Sequence, residues 1–208
     1  MAIVKKKTGL LGGSFDPVHI AHIALADAAY HTLGLDDIQL IPTGNPWQRA
    51  PLAADSTHRL AMLQLAVENR DWLRINPIEI ERNGPTYTID TLEALPSDVD
   101  YHWILGSDQL ENFCSWHRWR EIAQHARLIV ANRPGSPATV PAPLDHYLRS
   151  IGRTVTHLPF TPMAISATMI RERLKNGKSA DHFLNPAVAS YIRQHRLYDG
   201  DVAPQHTV

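Results

Sequence analysis

The sequence predicts a doubly wound α/β domain, a parallel sheet wrapped by helices on both faces. Three observations lead there. Short apolar runs alternate with stretches of helical periodicity from one end of the chain to the other. The helical stretches carry boundary signals, such as Gly34 after one and Ser56-Thr57 before the next. The chain has 208 residues, 44% hydrophobic and 20% charged, which suits a soluble domain with a well-buried core.

Taken in order, "TGLLGG" (8–13) reads as a short buried strand ended by glycines, and "IAHIALADAAYHTLG" (20–34) as a helix stopping at Gly34. "DIQLIP" is a second strand, and "STHRLAMLQLAVEN" a helix capped by Ser56 or Thr57. "WLRINPIEIER" predicts one or two strands and "TYTIDTLEAL" a helix. A buried strand "YHWILG", a helix "WREIAQHA" and strands "RLIVAN" and "RTVTHLP" follow, then helices "ATMIRERLKNG" and "NPAVASYIRQHRLY". Two proline-rich segments, "GNPWQRAPLAADS" and "NRPGSPATVPAPLD", are too long for simple turns and read as lids, binding loops or surface excursions. Residues 1–198 are expected to form one domain and 199–208 a flexible tail.

The formal net charge of -1 gives no global electrostatic case for nucleic acid or an acidic membrane. Cys114 is the single cysteine, so an intrachain disulfide is excluded and a reducing cytoplasm is the simplest compartment. Three lysines lie in residues 1–7, but the apolar run at 8–11 is too short for a secretory-signal core. No run approaches a membrane span. Oligomeric state is not legible.

The stretch "GGSFDPVHIAH" carries the chemistry. In doubly wound sheets, ligands sit beyond the carboxyl ends of the strands. Gly12 and Gly13 occupy such an end and let a phosphate approach the backbone. Asp16-Pro17 predicts a helix start, Asp as N-cap and Pro at the first helical position. His19 and His22 then share one face of the first turns. Bare backbone, a helix N-terminus and two imidazoles suit a polyphosphate. Read alone, the same residues also fit a tight turn, or two ligands of a metal.

"GGSFDPVHIAH" resembles the H-x-G-H signature of the nucleotidyltransferase superfamily, and "ISATMIRERL" (165–174) resembles its I-S-x-T-x-I-R motif. Between them "PTYTIDTL", "ILGSDQLENFCSWHRW" and "LIVANRPG" resemble the bacterial nicotinate-nucleotide adenylyltransferases. The resemblance runs from Leu10 to about Tyr198 and implies a Rossmann-like fold. Two positions depart from the pattern. Ala21 replaces the glycine of H-x-G-H, and the usual P-P-H-K loop is Pro46-Trp47-Gln48-Arg49, which retains a basic residue only in Arg49.

The resemblance implies transfer of AMP from ATP to nicotinate mononucleotide, with ATP and that nucleotide as partners and Mg²⁺ accompanying the phosphates without direct protein ligation. By the same resemblance His19, His22 and Arg171 are catalytic. Gly12, Gly13, Phe15, Gly106, Asp108, Ser166 and Thr168 bind ATP. Ser14, Arg49, Tyr87, Thr88, Trp116 and His117 bind the mononucleotide, with Trp116 stacked on the pyridine ring. Asp108 also reads as a helix cap, and Cys114 as packing. Two rival readings are another superfamily enzyme, such as a phosphopantetheine adenylyltransferase, and a nucleotide-binding regulator without catalysis. The "SWHRW" and "PTYT" segments count against the first, and the retained histidines, Ser166, Thr168 and Arg171 against the second.

Overall fold

The protein is described by a computed structural model covering residues 5–44, 52–82, 84–132, 135 and 138–199. Arg49 with its loop, and the tail from 200 onward, lie outside the described residues. Strand β1 (Lys7–Gly13) leads through α1 (Ile20–Leu33) to β2 (Asp37–Pro42), α2 (Ser56–Val67) and β3 (Leu73–Ile75). Helices α3 (Ile78–Glu81) and α4 (Thr88–Ala94) precede β4 (Asp100–Gly106), α5 (Ser107–Glu111), a 3-10 turn Phe113–Ser115 and α6 (Trp119–His125). Then come β5 (Ala126–Asn132), α7 (Ala142–Ser150), β6 (Thr156–Pro159), α8 (Ala167–Lys175) and α9 (Pro186–Gln194).

The six strands pair in parallel in the order β3-β2-β1-β4-β5-β6. The order reverses between β1 and β4, so the crevice beyond their carboxyl ends is the topological switch point. Successive side chains of a strand point to opposite faces, which sorts the core into two layers. Leu11, Ile38, Leu40, Ile104 and Ile129 pack with residues of α1, α2, α8 and α9. Leu10, Ile41, Trp103, Leu105, Leu128 and Val130 pack with α4, α5, α6 and α7. The two-sided wrapping predicted from the alternating pattern is present.

Several boundaries differ from the expectation. Asp16 does not cap α1. The N-cap is His19, in extended backbone, because the Asp16 carboxylate instead accepts the amides of Ala53 (2.7 Å) and Ala54 (3.0 Å). The cap of α2 is Asp55, which accepts from the His58 amide at 2.9 Å, rather than Ser56 or Thr57. The segment 72–82 gives a single three-residue strand. Asn76 ends it, its amide bonded to Leu40 O and its side chain to Gln39 and the Ile78 amide, and α3 follows. Helix α7 begins at Ala142, inside the second proline-rich segment. Prolines at its start need no amide donor, and Leu144 and Leu148 bury its apolar face.

Candidate active site

The glycines at the end of β1 sit where predicted. Gly13 pairs with Pro42 of β2, and Thr43 donates its amide to the Gly13 carbonyl. The backbone then turns through Phe15, a non-glycine residue with φ 47°, whose ring is fully buried. A Cβ at Gly13 would lie 3.1 Å from that ring, so glycine is what lets the ring pack beneath the turn. Phe15 also meets His22 edge-on at 4.9 Å. Its side chain therefore supports the loop from below, which leaves the backbone of the turn as the part of Phe15 that can face a ligand.

His19 and His22 are brought together more tightly than helical spacing requires. Their rings stack with centroids 3.7 Å apart and planes 20° apart. The His19 amide donates to His22 Nδ1 at 3.2 Å, so in the neutral ring the hydrogen resides on Nε2. Burial pushes the His19 pKa down to about 4, and burial together with the neighbouring His19 lowers that of His22 well below the ordinary value. Both imidazoles are neutral near pH 7 and act as single N–H donors. His19 Nδ1 is buried without a hydrogen-bond partner among the described residues, which a purely structural histidine avoids.

The second motif meets the first. Ser166 caps α8 by accepting the Met169 amide at 3.1 Å, leaving its side chain exposed beside the helix start. Arg171 is not a solvated helix face. It donates to the Asp16 carbonyl at 2.7 Å and to Thr168 Oγ1 at 3.3 Å, tying the start of α8 to the loop before α1. Beside them, at the end of β4, Gly106 is the N-cap of α5 and donates its amide to Gln109 Oε1 at 2.9 Å. Asp108 is thus an exposed first-turn residue and not the cap.

A third group assembles from the start of α4 and the segment between α5 and α6. The rings of Tyr87, the N-cap of α4, and exposed His117 lie 4.6 Å apart, although thirty residues of chain separate them. Trp116 is half-buried and packs on Phe113 at 5.3 Å, while Trp119 belongs to the core. Thr88 opens α4. Ser14 offers only its carbonyl to a described partner, Arg59, at 2.8 Å.

Sequence reasoning gave Asp16 another role and passed over three more residues in or beside this region. Asp16 is 1% exposed and anchors the loop. Arg59 is 2% exposed, and its lowered pKa, caused by burial, is opposed by Asp16. Its place on the Met62–Leu63–Ala66 face of α2 was the available signal. Glu79 is buried against Thr91, and Tyr198 donates to Asp16. A Cβ on Gly44 would overlap the Glu79 carbonyl, so only glycine allows α3 to close against the end of β2. Among the described residues no group of three His, Cys, Asp or Glu side chains is placed to hold a metal ion.

A family model described as cytidylyltransferase-like matches residues 10–173. A protein of Bordetella petrii named probable nicotinate-nucleotide adenylyltransferase is 56% identical over 193 residues, covering 93% of this chain and 99% of its own length. A protein of the same name from Dehalococcoides mccartyi is 40% identical over 201 residues, covering 94% and 98%. Among solved structures, Plasmodium falciparum nicotinic acid mononucleotide adenylyltransferase complexed with NaAD superposes with a TM-score of 0.75 at 18% identity, covering 95% of this chain and 99% of that one.

Proposed function

The chain belongs to the cytidylyltransferase-like family and, within it, to the nicotinate-nucleotide adenylyltransferases, and from that premise we propose that it joins ATP and nicotinate mononucleotide into deamido-NAD and pyrophosphate. The observation that carries this reading is the convergence of the stacked histidines, the Ser166–Arg171 helix start and the Gly12–Gly13 strand end beside the switch point.

The nucleophile is a phosphate oxygen of the mononucleotide. With a second phosphate pKa of about 6 it is largely ionised at neutral pH, so no general base is required. The new bond forms between that oxygen and the α-phosphorus of ATP. The bond from that phosphorus to the bridging oxygen breaks, and pyrophosphate leaves with the electron pair. The protein's task is to align two anions and to neutralise the charge that develops on the leaving group.

His22 Nε2–H and the His19 ring donate to the phosphates, His19 nearest the α-phosphate. Because both rings are neutral beforehand, an arriving triphosphate favours protonation and draws positive charge into the site as it binds. Ser166 and Thr168 hold the β and γ phosphates, Arg171 adds a planar fork, and Gly106 and Asp108 lie by the adenosine. The hydroxyls, the guanidinium and the ring N–H groups are donors for phosphate oxygens, and among the described residues no third His, Cys, Asp or Glu side chain joins the two histidines to hold a resident metal. Mg²⁺ would come with ATP rather than on a protein side chain, and would supply further charge neutralisation on the phosphates. Trp116 stacks on the pyridine ring, and backbone amides around Tyr87, Thr88 and His117 meet the nicotinate carboxylate, with Arg49 and Ser14 toward the mononucleotide phosphate. The lone Cys114 supports a cytosolic setting for this chemistry.

Pyrophosphate release with ATP and a panel of acceptors tests the reading. Turnover with nicotinate mononucleotide, and little with nicotinamide mononucleotide or phosphopantetheine, is expected. Absence of turnover with any pyridine nucleotide refutes it.

A further inference from the structure

The Asp16 carboxylate is the meeting point of three segments far apart in sequence. Its Oδ2 accepts from the Ala53 amide at 2.7 Å, and its Oδ1 accepts from the Ala54 amide at 3.0 Å and the Tyr198 hydroxyl at 2.7 Å. Ala53 and Ala54 close the long connection from β2 to α2, and Tyr198 follows α9 near the end of the chain. On the backbone of the same turn, Arg59 holds the Ser14 carbonyl and Arg171 the Asp16 carbonyl. Together these bonds hold Ser14 and Asp16, in the turn that leads to His19.

Tyr198 reaches this position by an unfavourable route. After α9 the chain passes through Arg196 at φ 51° and Tyr198 at φ 64°, two left-handed non-glycine residues within three positions. Leu197 between them packs on the core, and its amide bonds to Ile192 O at 3.0 Å. A backbone held this way points to a role for the phenol that it delivers. The phenol is a suitable donor, because burial and the adjacent Asp16 push its pKa well up and keep the hydroxyl protonated. Being neutral, it satisfies the carboxylate without cancelling the charge that acts on Arg59.

We propose that Tyr198 is a positioning residue for adenylyl transfer: its hydroxyl, through Asp16, locks the loop that presents His19 and the end of the 43–55 connection into one arrangement. This rests on the reading of the Gly12–His22 stretch as the site of the ATP phosphates. The histidines act on the transition state, so loss of the lock misplaces them more than it weakens ground-state binding.

Tyr198→Phe keeps the ring and removes the hydroxyl. Amide exchange at Ala53 and Ala54 should rise about tenfold, the equivalent of one lost hydrogen bond. In the same variant kcat should fall about tenfold, with KM for ATP changed less than about twofold. Tyr191→Phe is the control, since it removes a hydroxyl of the same C-terminal region that is bonded to His58 at 3.0 Å and not to Asp16. It should alter neither reading. In a double-mutant cycle with Asp16→Ala, which leaves no acceptor for the phenol, the effect of removing the Tyr198 hydroxyl on exchange should largely disappear. Unchanged exchange at Ala53 and Ala54, an equal loss of kcat in Tyr191→Phe, or additivity in the cycle overturns the proposal. The exchange and cycle measurements need no acceptor. A wild type inactive on nicotinate mononucleotide therefore refutes the assigned reaction, and those two measurements still decide whether Tyr198 locks the loop.

Discussion

Replacing Glu79 by glutamine is expected to stabilise the protein at alkaline pH and to flatten its loss of stability as pH rises. Glu79 is 5% exposed, and its Oε1 accepts the Thr91 hydroxyl at 2.9 Å. Burial raises its pKa from 4.5 to about 7, outweighing the opposite pulls of Thr91 and the Arg82 guanidinium. A carboxyl with a higher pKa in the folded state holds its proton more tightly there than in the unfolded chain. Stability is therefore lost as pH climbs from 4.5, and the whole penalty is present above about 7. At about 1.36 kcal/mol for each pKa unit, the full penalty is on the order of 3 kcal/mol. Glutamine stays neutral and retains the oxygen that Thr91 needs. Urea unfolding of both proteins at about pH 5 and about pH 8 should show the variant gaining about 2 kcal/mol relative to wild type between the two, since part of the penalty is already present at the lower pH. Contributions from His19 and His22 are common to both proteins and cancel in that difference. Parallel pH profiles would show that Glu79 is ionised and satisfied in the fold, and would refute the reasoning.

His22→Ala removes a neutral donor from a stacked pair and should lower kcat by about 10²–10³-fold with the fold intact by circular dichroism; a near-normal kcat would reduce the stretch to a turn and a helix cap. Arg171→Lys keeps the charge but cannot span the Asp16 carbonyl and Thr168 together, so turnover should fall, and unchanged ATP affinity and turnover would contradict the tie between the two motifs. Trp116→Ala should raise KM for nicotinate and nicotinamide mononucleotides alike, because a π-face stacks on either ring, leaving the ratio of their kcat/KM values near that of wild type. A collapsed ratio would show that Trp116 also orients the ring for the donors near Tyr87, Thr88 and His117.

The alternation of apolar strands with periodic helices was enough to predict the parallel sheet and its two-sided wrapping, because burial leaves a period in the sequence that can be read without neighbours. The stretch at 12–22 could be read for a related reason, being a local unit of strand end and helix start, whereas 165–174 was picked out by its resemblance to I-S-x-T-x-I-R. Local rules failed where a distant group competed. Asp16-Pro17 has the composition of a helix start, yet the Asp16 carboxylate is taken by amides 37 and 38 residues away and by a phenol 182 residues away. Asn76 ended a strand that composition would have extended, and Leu144 and Leu148 made a helix out of a segment that its prolines marked as a loop. Arg171 was singled out by resemblance, but its partner, the Asp16 carbonyl 155 residues away and 2.7 Å from it, left no mark in the sequence. Which faces are buried and which residue types stand at the strand ends were properties of the sequence alone. Which distant donor satisfies which buried acceptor was decided only by the tertiary structure, because hydrogen bonding acts over ångströms of space and carries no periodic trace along the chain.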